Sequence, residues 1–393
     1  VKLLNANCAP YIPKKGSVGA SGDLAPLAHL GLLLLGIGEA FIDNKKTTAK
    51  NALKQSKIEN FKLYFRDGLA LINGTQAMSA SGFTSLLDSF DLCDLADITA
   101  ACTIEVLGGH NTPYDQRIHM LKPYPGQIIS AKNIRSMLKG SKRKSFINNP
   151  LTQDPYSLRC VPQVHGASRD VSTANLKIIE TEINSTTDNP LFFIKNNKFD
   201  ILFGGNFHGQ QLAIALDHQA LAVAELANIS ERRIELLLNP KHSNGLPAFL
   251  INPQGSNSGF MMLHVTASAL INENKILSHP ASTDSIPTSA NREDHVSMGM
   301  TAANKLKEII KNTKIVLTIE LLASLQALNY RNDKSISPKI MLLHKEARKI
   351  VAFYKKDCLF INDLNIINQW LDTSYAKKLI KNLLTSKSNN TSI

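Results

Sequence analysis

The sequence predicts a mainly α-helical protein, a bundle of long helices with minor β hairpins, and three observations carry that prediction. Two stretches, 75–107 and 296–328, run for some thirty residues each without a proline. A third places apolar side chains at three- and four-residue steps, with Leu212, Leu216, Ala220, Val223, Ala227, Ile234 and Leu237 forming the stripe of a helix with one face turned inward. Strand patterns, by contrast, are scarce. Helices near thirty residues are long for a globular protein, and their natural place is a bundle, which copies of the chain can share.

Taken in order, 24–38 is the most apolar stretch, but it contains Pro26 and His29 and falls short of the ~20 apolar residues a membrane span needs. Segment 75–107, rich in Ala, Ser and Leu, reads as one long, largely buried helix. Segments 191–194 and 200–203 form a hairpin around Lys195, Asn196, Asn197 and Lys198. Further helices are expected over 261–277, 339–353 and 366–384, while 377–393, with Ser-Asn-Asn-Thr-Ser near its end, reads as a fraying tail. No internal repeat is visible, and 1–393 reads as a single domain.

The 393 residues are 43% hydrophobic and 19% charged, a balance that excludes wholesale disorder. Lys+Arg 44 against Asp+Glu 32 leaves +12, which raises nucleic acid or an anionic membrane as partners. The densest basic run, Lys132, Arg135, Lys139, Lys142, Arg143 and Lys144, has only Phe146 nearby for stacking, so a surface loop is the better reading and neither partner is expected. Five cysteines without a C-x-x-C pair suggest neither disulfides nor a metal site and fit a reducing cytoplasm. His110, His119, His165, His218, His264 and His344 show no ligand spacing and read as structural or solvent-facing.

The loops between the helices are unusual. Small polar residues gather at 16–23, 73–76, 153–159, 204–209 and 289–295, several of them at helix starts, where binding sites are commonly built. The first is glycine-rich, yet it lacks the Lys-Ser/Thr of a P-loop and the G-x-G-x-x-G spacing of a dinucleotide fold. It can be a plain turn. Alternatively, attack of the Gly22 nitrogen on the Ala20 carbonyl, with loss of two waters, would give a five-membered ring bearing a methylidene from Ser21. Those three residues alone do not decide between the two.

Their context does. Gly16-Ser-Val-Gly-Ala-Ser-Gly-Asp-Leu-Ala-Pro-Leu-Ala-His29 resembles the signature of the aromatic amino-acid ammonia-lyases, and the other four loops match in order. Glu225-Leu-Ala-Asn-Ile-Ser-Glu-Arg-Arg233, Ser278-His-Pro280 and Asp294-His-Val-Ser-Met298 bring the resemblance closest to the histidine ammonia-lyase branch, up to about Tyr330. The resemblance implies a bundle shared in outline with fumarase-type lyases, a homotetramer, and elimination of ammonia from L-histidine to give urocanate. It further implies a 4-methylideneimidazole-5-one electrophile made from Ala20, Ser21 and Gly22, with either the amine or the ring of the substrate attacking it.

By the same resemblance, Asn73 donates to the electrophile's oxygen, a helix N-cap being the plainer alternative. Tyr156 lies beside the electrophile and Gln153 forms a polar wall. Arg159 clamps the substrate carboxylate, with a structural ion pair as its alternative, and Phe207 packs on the substrate rather than in the core. Glu293 sets the substrate, because a carboxylate can hold an imidazole or exchange a proton with it and finds no such partner in a phenyl or phenol ring.

Two features depart from the family. Arg292 stands where a glutamine is usual, a cation beside Glu293. The chain begins at Val1, fifteen residues before Gly16, so the preceding family segment, with its acid/base tyrosine and a substrate-facing histidine, is expected either to lie upstream in a longer chain or to be missing; Tyr11 and His29 do not replace them. The rival readings are a phenylalanine or tyrosine ammonia-lyase or aminomutase, an inactive fragment acting as a structural partner, and a nucleic-acid binder.

Overall fold

The computed structural model describes residues 1–142, 153–252, 255–331 and 333–385. Long helices dominate: Gln76–Leu107, Val161–Ile183, Gln210–Leu238, Met261–Leu277 and Gly299–Leu328. The chain divides into two compact units, one made of Val1–Ser85, Asn175–His218 and His279–Lys307, the other of Leu86–Ala174, Gln219–Ser278 and Glu308–Ile393.

The first unit carries all the described strands. β1 (Cys8–Pro10), β2 (Glu39–Ile42) and β3 (Lys45–Thr48) form an antiparallel sheet in that order. The two-residue turn between β2 and β3 is Asp43-Asn44, both at positive φ (47° and 62°), as a primed hairpin turn requires. Behind the sheet, Cys8, Leu33, Ala40, Ala49, Ala52 and Leu53 form a small buried cluster. The second hairpin pairs β4 (Leu191–Lys195) with β5 (Lys198–Leu202) around Asn196-Asn197, again both at positive φ.

The second unit has no strand among its described residues, and its polar interior is built from ion pairs. Arg233 and Glu320, both fully buried, bond through two contacts of 2.6 and 2.8 Å, and Thr99, Thr103 and Ser230 donate to the same carboxylate. Asp97, also fully buried, accepts from Arg169 at 2.7 Å, His165 at 2.8 Å and Asn133 at 2.8 Å. Gln210–Leu238 is the one helix among the described residues long and apolar enough to cross a membrane; 72% of its most apolar window is buried inside the protein, as in a core helix.

Several boundaries differ from the sequence reading. Helix Gly299–Leu328 starts three residues late because Ser297 and Met298 serve the glycine loop: Ser297 Oγ donates to Gly19 O at 2.9 Å and Met298 N to Val18 O at 2.8 Å. Segment 366–384 falls within two helices, Phe360–Asp372 and Ser374–Leu384, broken at Thr373, whose hydroxyl caps the second by accepting from Ala376 N at 3.2 Å. Residues 377–384 do not fray: they are the last turns of that helix, with Ile380, Leu383 and Leu384 buried. Residues 386–393 lie outside the described residues. Helix Pro338–Arg348 stops short of 353, where the Arg348 guanidinium donates to Ala352 O at 2.7 Å and folds the chain back. Of the basic run, Lys132 and Arg135 sit on helix Pro125–Leu138 and Lys139 at its end, a helix rather than a loop; Arg143, Lys144 and Phe146 lie outside the described residues.

Candidate active site

The triplet Ala20-Ser21-Gly22 sits in a backbone that only small residues permit. Gly19 (φ 71°), Ser21 (φ 49°) and Gly22 (φ 72°) all take left-handed conformations, costly for a residue with a side chain such as Ser21. A Cβ on Gly22 would lie 2.3–2.6 Å from the O, N and C atoms of Gly74, so Gly22 is fixed by close backbone approach as well as by φ. Asp23 N donates to Gly74 O at 2.7 Å, tying the triplet to the next loop. Gly19 O accepts from both Ser297 Oγ and Gly209 N, joining the 204–209 and 289–298 segments to the same turn.

Asp23 anchors this turn. Its carboxylate is wholly buried and accepts from Ser17 Oγ at 2.7 Å and from Met78 N at 2.8 Å, capping the start of helix Gln76–Leu107. Burial pushes its carboxyl up, more than those donors and the Ala77 N–H bring it down.

Asn73 closes helix Asp67–Ile72 at its C-terminus and does not act as an N-cap. Its Nδ2 donates to Asp188 Oδ1 at 3.0 Å and to Asn189 O at 3.3 Å. Asp188 Oδ2 in turn takes Arg66 Nη1 at 2.8 Å, and Arg66 Nη2 reaches Pro190 O at 3.1 Å. The same turn binds both neighbouring loops: Gln76 Nε2 donates to Thr187 Oγ1, Gly204 N to Asn189 Oδ1 and Asn206 Nδ2 to Thr186 O. Sequence reasoning missed Arg66 and Asp188. The available signal was the Asp188-Asn189-Pro190 run, turn-forming residues next to the expected hairpin.

Glu293 meets the triplet. Its Oε2 accepts from Thr288 Oγ1 at 2.7 Å and Ser289 Oγ at 2.9 Å. The Ser21 hydroxyl first, then those of Thr288 and Ser289, hold its carboxyl below the usual range, so it is ionised at neutral pH. Arg292 is exposed and, among the described residues, makes no ion pair with it. Phe207 is half-buried in the 204–209 loop, and beside it the rings of His208 and His295 stack with centroids 5.5 Å apart. Ser21, Asn73, Phe207 and Glu293 thus all belong to the first unit.

Gln153, Tyr156 and Arg159 belong to the second. Asp154 accepts from His110 N at 2.7 Å and pairs with its Nδ1 at 3.0 Å, so His110 is structural in the sense of holding this loop. Tyr156 opens the short helix Tyr156–Arg159 and is largely exposed. The Arg159 guanidinium carbon lies 4.6 Å from the Tyr156 ring centroid. Among the described residues Arg159 Nε is buried without a hydrogen-bond partner and Arg159 makes no ion pair, so the donor remains for a ligand's acceptor.

A bundle of long helices whose loops hold a strained Ala-Ser-Gly turn belongs with the carbon–nitrogen lyases. The aromatic amino acid lyase profile matches residues 1–349, and the chain belongs to that family. It is 44% identical to histidine ammonia-lyase 1 of Fusobacterium nucleatum over 98% of this chain and 74% of that protein. It is 46% identical to the histidine ammonia-lyase of Alkaliphilus oremlandii over 97% and 74%. Among solved structures it matches histidine ammonia-lyase from Trypanosoma cruzi at a TM-score of 0.90 and 39% identity, over 98% of this chain and 73% of that one. The tyrosine aminomutase of Streptomyces globisporus matches at a TM-score of 0.90 and 32% identity, over 97% and 75%.

Proposed function

We propose that the chain eliminates ammonia from L-histidine to give urocanate, the first step of histidine degradation, with 4-methylideneimidazole-5-one formed from Ala20, Ser21 and Gly22. The observation that carries this reading is Glu293, an ionised carboxylate whose lowered pKa has Ser21 of the triplet as its first cause. A carboxylate at the reacting turn suits an imidazole N–H and has nothing to hold on a phenyl ring. The names of the relatives point the same way.

The turn suits such a group: Gly22 has no room for a side chain against Gly74, and Ser21 is already held at positive φ. Once formed, the group supplies the electron sink that lets a weakly acidic β-proton leave and ammonia depart. The other roles fall to the chain's own side chains. Glu293 holds the imidazole, Arg159 binds the carboxylate through its unpaired guanidinium N–H, and Phe207 packs against the ring. Asn73 donates to the oxygen of the modified turn, with Tyr156 and Gln153 on the wall that carries Arg159. In this reading the protein is a cytoplasmic homotetramer. The hairpin region supports assembly, since Ile194, Phe199 and Phe203 are each more than 70% exposed, the kind of apolar surface subunit contacts cover.

The test compares histidine, phenylalanine and tyrosine as substrates for the unaltered chain and for Glu293→Gln. Histidine is the preferred substrate, and the substitution lowers its kcat/KM by about 10²-fold while sparing or improving phenylalanine. Preference for tyrosine or phenylalanine, or recovery of a β-amino acid, would place the chain with the aminomutases instead. An equal loss on all three substrates would remove Glu293 from the choice of substrate.

A further inference from the structure

We propose that Asp188, pinned by Arg66, is the positioning residue that aims the Asn73 amide at the modified turn. The inference rests on the proposed function, because it takes Asn73 as the donor to the electrophile's oxygen. Both hydrogens of Asn73 Nδ2 have acceptors: Asp188 Oδ1 at 3.0 Å and Asn189 O at 3.3 Å. Donation to a new oxygen must release one of them. The two are unequal, since the bond to Asp188 is shorter and runs to a charged acceptor, which makes it the stronger. The Asn189 carbonyl is therefore the partner given up, and Asp188 keeps its hold on the amide while the freed hydrogen turns to the electrophile.

Asp188 can do this because two other partners hold its carboxylate. Its Oδ2 is held by Arg66 Nη1 at 2.8 Å, and its Oδ1 also accepts Asn189 N at 2.7 Å. The Arg66 guanidinium is seated by Pro190 O at 3.1 Å and lies over the Phe192 ring, 5.1 Å from its centroid. Asn73 itself is only 4% exposed, so water is a poor substitute for a lost partner. A buried amide with one fixed and one exchangeable acceptor is a donor prepared in advance for charge that appears only during reaction.

The experiment reads the electrophile directly rather than through turnover. The mass of the peptide spanning Ala20 to Gly22 reports the loss of two waters, and the rate at which that peptide gains the mass of HCN on exposure of the folded chain to cyanide reports how strongly the turn's oxygen is polarised. Asp188→Asn leaves the two-water deficit in place and slows cyanide addition about tenfold. Asn73→Ala slows it at least as much, and the double variant is no slower than Asn73→Ala alone, because Asp188 acts only through Asn73. Cyanide addition unchanged in Asp188→Asn, or additive losses in the double variant, overturns this inference while leaving the proposed function intact. An unaltered chain without the two-water deficit overturns both. Should Asp188→Asn not fold, Arg66→Met replaces it: it frees Asp188 Oδ2 without touching Oδ1, with a loss of about threefold expected and no loss overturning the inference.

Discussion

Asp23 and Asp97 are both wholly buried carboxylates, one in each unit, and they are treated in opposite ways. Asp97 is surrounded by charge and by donors: Arg169, His165 and Asn133 outweigh the cost of burial and bring its carboxyl down to about 2. Asp23 receives only neutral donors, Ser17 and the amides of Met78 and Ala77, and burial wins, pushing its carboxyl up. The same contrast runs through the units. The second balances Glu320 against Arg233 and Asp97 against Arg169 inside a helical core. The first crowds left-handed turns and backbone contacts around one serine. Around Asp97 the charges are matched, whereas around the Ala20-Ser21-Gly22 turn strain and an unmatched carboxylate are tolerated.

The largest effect is expected in the matched core. Glu320→Ala leaves the Arg233 guanidinium buried without its partner and strips the acceptor from Thr99, Thr103 and Ser230. Removing one partner of a buried pair costs about 3–5 kcal/mol, read as a drop in the urea midpoint. Replacing both members by apolar residues of similar volume should cost much less. A single variant as mild as the double one would show that the pair is not electrostatically matched.

A smaller loss of stability but a complete loss of chemistry is expected at Gly22→Ala. The added methyl meets the Gly74 backbone at 2.3–2.6 Å, and alanine resists a φ of 72°. Together these cost about 2–4 kcal/mol, because backbone atoms cannot move aside as a flexible side chain can. The peptide spanning Ala20 to Gly22 should then keep its full, uncyclised mass. Normal cyclisation in this variant would mean that the close approach to Gly74 does not shape the turn.

How far such contrasts could be read beforehand differs between scaffold and site. Apolar stripes and freedom from proline revealed the helices Gln76–Leu107, Gln210–Leu238 and Gly299–Leu328, because periodicity is a local property of the chain. Helix Val161–Ile183 escaped notice: Pro162 and Gly166 interrupt it, though Pro162 sits in the first turn, where proline is tolerated. The β2–β3 hairpin also escaped the sequence reading, because its four-residue strands are too short to show alternation. The Ala20-Ser21-Gly22 turn was singled out only through resemblance to known lyases. The effect of Ser21 on Glu293 and the hold of Asp188 on Asn73 join residues far apart in sequence and became visible only when the fold brought them together.

The finest test of the contrast is the sign of the pH dependence at the two aspartates. Asp97 titrates lower in the folded protein than the ordinary 3.8, so its contribution is complete above about pH 4 and is lost as pH falls toward 2. The difference between those two values amounts to roughly 2 kcal/mol. Asp23 titrates higher when folded, so the folded state binds its proton first and gains stability as pH falls from neutrality toward 4. Urea midpoints of the unaltered chain, Asp97→Asn and Asp23→Asn, followed from pH 7 to pH 2, separate the two. Asp97→Asn should flatten the acid loss below pH 4, and Asp23→Asn should remove a gain above it. Asp94, which burial also pushes up despite Arg169, shares that arginine with Asp97, so Asp97→Asn shifts it as well, while the Asp23→Asn difference is free of it. If both variants changed the slope in the same direction, the two carboxylates would be alike, and the division between a charge-matched core and an unmatched reactive turn would fall with them.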